Sequence, residues 1–348
     1  MPLEPADQRL IDEMQATIAG LAGDDVDRLD LKITNAALKE MRRAFKVFAP
    51  YRGVPKVTIF GSARTLPEDP LYRQARDLAA ALAAAGWMVV TGAGPGIMAA
   101  GAEGAGPDWS IGVNIRLPFE AEPNPVMFDD SRLVAMKYFF TRKLMLMKES
   151  AGFAVLPGGF GTMDEAFELL TLLQTGKASP APIVLLDVPG GTYWRSWQEF
   201  AERELAAGGL VSPDDLHLVH VTDDVGDAVA EILGFFRNYH SIRHVGRHLV
   251  MRLKARPTDA ELEELNREFR DVVVDGAIEI TDPLPPEVAD GDHVDLPRLA
   301  FALDPFRQAR FRALIDAVNR LASAPALSRP DAEAVDAAAT PPDLLLGL

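Results

Sequence analysis

The chain has 348 residues, with 35 Lys and Arg against 51 Asp and Glu, a formal net charge of −16, and a hydrophobic fraction of 48%. That length accommodates one principal domain and a smaller one, and the apolar fraction supplies a real core and excludes wholesale disorder. An acidic total does not favour nucleic acid as a partner, because phosphate backbones select concentrated Lys and Arg. Zero cysteines exclude a disulfide framework, a thiol nucleophile and a zinc–thiolate site. The opening MPLEPADQRLIDEM lacks a basic stretch followed by an apolar one, and no run of about 18 apolar residues occurs. Neither a secretory signal nor a membrane span is expected, and the expected location is the cytoplasm.

Residues 5–22 and 31–48 read as two helices separated by the polar GDDVDRLD. In the second, Leu38, Met41, Phe45 and Phe48 recur at steps of three and four, so they share one face and are expected to clamp the domain that follows. From Val57 short apolar runs alternate with helical stretches. The runs are 57–62, 87–93, 110–115, 152–159, 182–187 and 216–223; the helices lie near 70–85, 95–106, 136–149, 163–176, 193–208 and 224–239. Uniformly apolar strands alternating with helices predict a parallel sheet covered on both faces, and right-handed crossovers make it a doubly wound, Rossmann-like α/β domain over 51–240. Beyond it, strands at 248–254, 277–283 and 297–304 with helices at 258–270 and 305–322 predict a small β-α-β-β-α extension over 241–322. Residues 323–348, rich in Ala, Pro and Asp, read as a loose tail.

Three segments carry candidate chemistry. TGAGPGIM (91–98) follows a strand and opens a helix, so Gly92, Gly94 and Gly96 allow close backbone approach of an anion to a helix N-terminus. The spacing is not G-x-G-x-x-G, and the next strand ends in Asn114, Ile115 and Arg116 where a dinucleotide fold wants a ribose-binding acid about 20 residues on. The alternative is a tight turn whose glycines serve packing alone. LPGGFGTMDEAFELL (156–170) is more specific: Gly158, Gly159 and Gly161 expose successive N–H groups at the positive end of a helix, a natural phosphate cradle. Glu165 and Glu168 follow on neighbouring surface positions. Thr162 and Glu165 also spell a capping box, in which Glu165 bonds back to the Thr162 N–H. The third segment, YFFTRKLMLMK (138–148), brings Arg142, Lys143 and Lys148, with Lys137 before them, into an acidic protein. Arg142 suits a bidentate clamp on phosphate or a bond to a leaving base; the alternative is a solvated helix face with Leu144 and Met147 turned inward. All six histidines (217, 220, 240, 244, 248 and 293) follow these segments, and no HExxH, G-x-S-x-G or G-x4-G-K-[ST] frame occurs. A histidine-based triad or metal site therefore finds no support.

Taken together, GSAR (61–64), TGAGPGIM (91–98), FFTRK (139–143) and PGGFGTMDE (157–165) resemble the Lonely Guy (LOG) family over about residues 55–240, with SIGVNIRLPFEAEPNPVM and LLTLLQTGK similar to its longer bacterial branch. Many members of that family were once labelled lysine decarboxylases. The resemblance implies a phosphoribohydrolase that splits a nucleoside 5′-monophosphate into free base and ribose 5-phosphate without a cofactor. It implies Arg142 and Glu165 as the catalytic pair and Gly158, Gly159, Gly161 and Thr162 as phosphate holders. Ser62, Gly92, Gly94, Gly96 and Lys143 would complete the nucleotide pocket, and the assembly would be at least a homodimer. Phe139 and Phe140 stand where plant-like members have Met-His, Phe160 replaces the usual Tyr and Asp164 a Glu, so the base pocket differs. The alternative is a nucleotide-binding carrier or sensor that uses the same cradle without chemistry. A decarboxylase would need pyridoxal phosphate on a Schiff-base lysine, a role for which Lys143 offers no case.

Overall fold

Two helices, α1 (Pro5–Gly20) and α2 (Arg28–Phe48), precede the first strand. Asp27 caps α2, accepting from the Leu29 and Asp30 N–H groups, while Asp30 bonds back to Asp27, so the helix starts three residues ahead of the sequence expectation. Its buried face also differs. Ala37, Ala44 and Phe48 point inward, whereas Leu38 and Phe45 are 40% and 42% exposed. The small alanines let α2 lie close against the sheet edge; the larger side chains at 38 and 45 face solvent. The structure, a computed structural model, describes residues 5–116 and 131–327. The expected tail beyond 327 and the LPFEAEPNPVM portion (117–127) of the longer-branch motif lie outside the described residues.

The strands β1 (Lys56–Phe60), β2 (Met88–Thr91), β3 (Ser110–Ile115), β4 (Leu133–Met136), β5 (Gly152–Val155), β6 (Ile183–Leu186) and β7 (His220–Thr222) form one parallel sheet in the order β4-β3-β2-β1-β5-β6-β7. Helices α3 (Pro70–Ala84), α4 (Ile97–Ala105), α5 (Phe139–Lys148), α6 (Phe160–Gln174), α7 (Tyr193–Phe200) and α8 (Val225–Gly234) cover both faces. Alternation along the strands feeds two cores: Val57, Ile59 and Val89 meet Leu78, Leu82, Ile97 and Ile232 on one side. Phe60, Val90, Phe153 and Val155 meet Phe48, Leu146, Leu169 and Trp194 on the other. This is the doubly wound α/β fold. Strand order reverses between β1 and β5, and that reversal fixes where a crevice opens.

Several expected boundaries move. β4 stands where no strand is expected and ends at Met136, where a helix is expected to begin; α5 begins at Phe139. The run at 216–223 keeps only three strand residues, because Pro213–Leu218 forms a 3-10 turn capped by Ser212. Residues 201–206 continue α7 as a π-turn. The helix expected to reach 239 stops at Gly234, and Tyr239 opens a strand whose first N–H groups, with that of Asn238, are held by the Asn319 side chain.

The C-terminal unit is α+β but richer than β-α-β-β-α. β8 (Tyr239–Val245), β9 (His248–Leu253), α9 (Asp259–Glu268), β10 (Glu279–Thr281), α10 (Pro285–Asp290), β11 (Arg298–Phe301) and α11 (Gln308–Arg320) include an antiparallel sheet in the order β10-β11-β9-β8. The β8–β9 hairpin turns at Gly246 and Arg247, with Gly246 at φ +59°. The unit has its own core around Tyr239, Met251, Phe269, Phe301 and Leu314. Arg312 on α11 ties it to the first domain by pairing with Glu231. Among the described residues no helix is long and apolar enough to cross a membrane.

Candidate active site

The carboxyl ends of β1, β2 and β5 converge where the strand order reverses, and a glycine-bearing loop leaves each. Ser62 joins the three loops: its N–H donates to the Pro157 carbonyl (3.2 Å), its carbonyl accepts from the Ile97 N–H (3.0 Å), and its hydroxyl accepts from the Arg64 N–H (3.0 Å). Gly96, at φ +67°, caps α4, and a Cβ there would overlap the Ser62 carbonyl, so no other residue fits. A Cβ on Gly158 would overlap the Thr162 side chain and lie 3.0 Å from the Ser62 nitrogen. These two glycines let the loops close on each other; Gly159 and Gly161 face open space.

Gly159 is the N-cap of α6 and Phe160 its first residue. The expected capping box therefore does not form: Thr162 sits inside the first turn, buried, and Glu165 lies beyond it. The first-turn N–H groups lack intrahelical acceptors and stand beside two glycines with open space over them, at the place where the anion cradle is expected. Phe160 projects beside it, 96% exposed.

Arg142 stands in the first part of α5, only 8% exposed. Its Nε donates to the Val113 carbonyl within β3 (3.0 Å), and its Nη1 lies 3.4 Å from Glu165 Oε1. Gly92 makes room for this: a Cβ there would displace Arg142 Nη2. Gly94 does the same for the Met98 side chain. The solvated-face reading thus fails for Arg142. Burial pushes the Glu165 carboxyl up to about 7, outweighing the pull of Arg142 and Lys143 in the opposite direction. A buried carboxyl poised near neutrality beside a fixed cation, in a crevice, is the pattern of an acid–base site.

The rest of the basic set disperses. Lys143 is held by Asp164 and Glu168, both at 2.7 Å; burial opposes its charge, but those bonds prevail and its ammonium pKa is raised. It braces α5 against α6. Lys137 lies over the Tyr138 ring and Lys148 pairs with Glu149. Sequence reasoning missed Tyr193, whose hydroxyl donates to the Gly158 carbonyl (2.6 Å). Its own N–H is held by Asp187 (2.9 Å), which also accepts from Val188. The available signal was the P-G-G-T-Y run after a buried strand ending in Asp187, at the same sheet edge as the glycine loops. Among the described residues no group of three His, Asp or Glu side chains is placed to hold a metal ion.

A family model described as "Possible lysine decarboxylase" matches residues 94–232. The cytokinin riboside 5′-monophosphate phosphoribohydrolase of Mycobacterium tuberculosis is 33% identical over 165 residues, covering 46% of this chain and 83% of that protein. The chain belongs to the LOG family. The phosphoribohydrolase of the same name from Mycobacterium marinum is 32% identical over 174 residues, covering 48% of this chain and 87% of that protein. Among solved structures, the molybdenum cofactor carrier protein of Chlamydomonas reinhardtii is 24% identical with a TM-score of 0.35, covering 51% of this chain and 94% of that one. In this LOG protein the segment matched by the family model contains Gly94, Gly96, Arg142, Lys143 and the whole α6 cradle. Ser62 and Gly92 precede it, and the antiparallel C-terminal sheet follows it.

Proposed function

We propose that this LOG protein hydrolyses the N-glycosidic bond of a nucleoside 5′-monophosphate, giving free base and ribose 5-phosphate. The observation that carries the reading is the buried Arg142–Glu165 pair, one and a half turns from the open N-terminus of α6. Along the helix axis that separation is about 7–8 Å, which a ribose 5-phosphate bridges when its phosphate oxygens sit a hydrogen bond away from the helix terminus. With the phosphate on the cradle, C1′ would lie beside the Glu165 carboxylate. The names of the mycobacterial relatives agree with that substrate class.

As the C1′–N bond breaks, its electron pair stays on the base and positive charge builds on the sugar. Glu165 stabilises that charge and takes a proton from the attacking water, whose oxygen forms the new bond to C1′. The proton ends on the departing base. Arg142 stays a guanidinium at working pH, so its part is electrostatic: it keeps Glu165 charged and steadies the negative charge on the leaving base. Phosphate binding, remote from the reacting bond, supplies positioning. In this reading the protein works as a homo-oligomer in the cytoplasm; a monomer mass in sedimentation would remove the first of those.

The test incubates the protein with AMP, GMP, CMP, UMP and isopentenyl-AMP beside the matching nucleosides, and follows products by chromatography. Base and ribose 5-phosphate released from monophosphates alone is the expected result. Nucleotides that bind and stay intact would replace the enzyme by the carrier or sensor.

A further inference from the structure

Helix α5, which presents Arg142, has no cap of its own: Tyr138 at the N-cap makes no side-chain capping bond. The carboxylate at that end comes instead from α2. Glu40 Oε1 accepts from the Lys137 N–H (2.9 Å), and Oε2 accepts from the Thr141 hydroxyl (2.7 Å). Thr141 is fully buried, and its hydroxyl also lies 2.9 Å from the Tyr138 carbonyl. One half-buried side chain therefore holds the residue before the cap and the residue before Arg142, and puts negative charge at the positive end of the helix.

We propose that Glu40 is a positioning residue for Arg142, a cap supplied from outside the segment matched by the family model that fixes the first turn of α5 and so the place of the guanidinium against Glu165. The proposal rests on the reading of that pair as the reacting one. The backbone of the turn it stands on, the Val113 carbonyl and Glu165 all help to hold Arg142. Loss of Glu40 would release the first of these, leaving the Lys137 N–H without its acceptor and the turn free to unwind. Displacement of a reacting group by about 1 Å can cost on the order of 100-fold in rate.

The test compares Glu40→Ala with Glu40→Gln and with Lys39→Ala, an exposed neighbour on the same helix. Gln keeps a carbonyl for the Lys137 N–H. Its amide can donate to the Thr141 oxygen, whose proton then goes to Tyr138, so the turn stays satisfied without the charge. E40A should lose about 10- to 100-fold in kcat with KM changed less than about 3-fold, because the phosphate cradle lies on α6. E40Q and K39A should stay within about 3-fold of wild type in both, and amides 138–143 should exchange faster in E40A alone. Wild-type kcat in E40A, or a loss that Gln does not rescue, overturns the proposal. If the wild-type protein cleaves no monophosphate, the functional reading fails by itself, and exchange still decides the structural part. Faster exchange at 138–143 in E40A keeps Glu40 as the brace of that turn, and unchanged exchange ends it.

Discussion

Replacing Glu165 by Gln preserves the side chain's shape and removes its titration, which makes the consequence of burying this carboxyl measurable. The folded protein holds its proton up to about pH 7, whereas an ordinary glutamate releases it near 4.5. Between those values the native state binds more protons than the unfolded chain, so the contribution of Glu165 to stability falls as pH rises and is fully lost above about 7. At about 1.4 kcal/mol per pH unit the displacement amounts to about 3 kcal/mol. Urea unfolding of both proteins at pH 5 and pH 8 reads this directly. The stability of E165Q relative to wild type should improve by about 2–3 kcal/mol on going from pH 5 to pH 8. The Arg142 contact passes from a bond to a neutral carboxyl at pH 5 to an ion pair at pH 8, and that change is already contained in the displaced pKa. E165Q should also lose about 10²–10⁴-fold in kcat, while the wild-type rate climbs as pH passes about 7. Parallel stability curves for the two proteins would refute the reasoning, since the carboxyl would then titrate as an exposed one does and could not owe its state to burial.

Arg142 is the first of the charges holding the Glu165 pKa down, so in R142Q the carboxyl should titrate above 7 and the pH dependence of unfolding should steepen; base release at pH 7 should fall with it. Gly96→Ala meets both a left-handed backbone and the Ser62 carbonyl, and thermal unfolding should report a loss of at least about 2 kcal/mol. Gly161→Ala meets nothing and gains helix propensity, so its melting temperature should not fall, yet KM for the monophosphate should rise because a methyl enters the cradle. Tyr193→Phe removes the bond to the Gly158 carbonyl and should cost about 1 kcal/mol, with the kinetic effect in KM.

Uniform burial made most of the sheet legible, because strands covered on both faces read as unbroken apolar runs. β4 escaped because its burial alternates, with only Val134 and Met136 fully inside, and its four residues run into an aromatic stretch with helical character. Strand β8 escaped for a related reason, although its partner β9 was legible: FFRNYH continues the helical pattern of α8, and what stops it is the Asn319 side chain, 80 residues away. On α2 a period near 3.6 fits the face with Leu38 and Phe45 as well as the face with Ala37 and Ala44. Packing decides between them: at 37 and 44 the helix lies close enough to admit alanine, while Phe48 at its end is buried in the sheet core.

The same contest between local and distant partners runs through the site. Thr162 and Glu165 spell a local cap, but Gly158 and Gly159 let α6 begin earlier, and Glu165 faces an arginine 23 residues back in the chain. Local text could name both members of that pair without saying that they meet. Topology brings them together: α5 descends from the β4 edge and α6 leaves β5 at the reversal of strand order, so their N-terminal turns open on one crevice. With α6 starting at Phe160, the N–H groups of Phe160, Gly161 and Thr162 have no acceptor within the helix, and Glu165, which a capping box would have tied to the Thr162 N–H, faces Arg142 instead. The cap that α5 lacks arrives from Glu40, about a hundred residues upstream, where no local motif announces it. Helices α5 and α6 therefore both start without a side-chain cap of their own: α6 leaves its first N–H groups open toward the crevice, and α5 takes its carboxylate from a helix outside the segment matched by the family model.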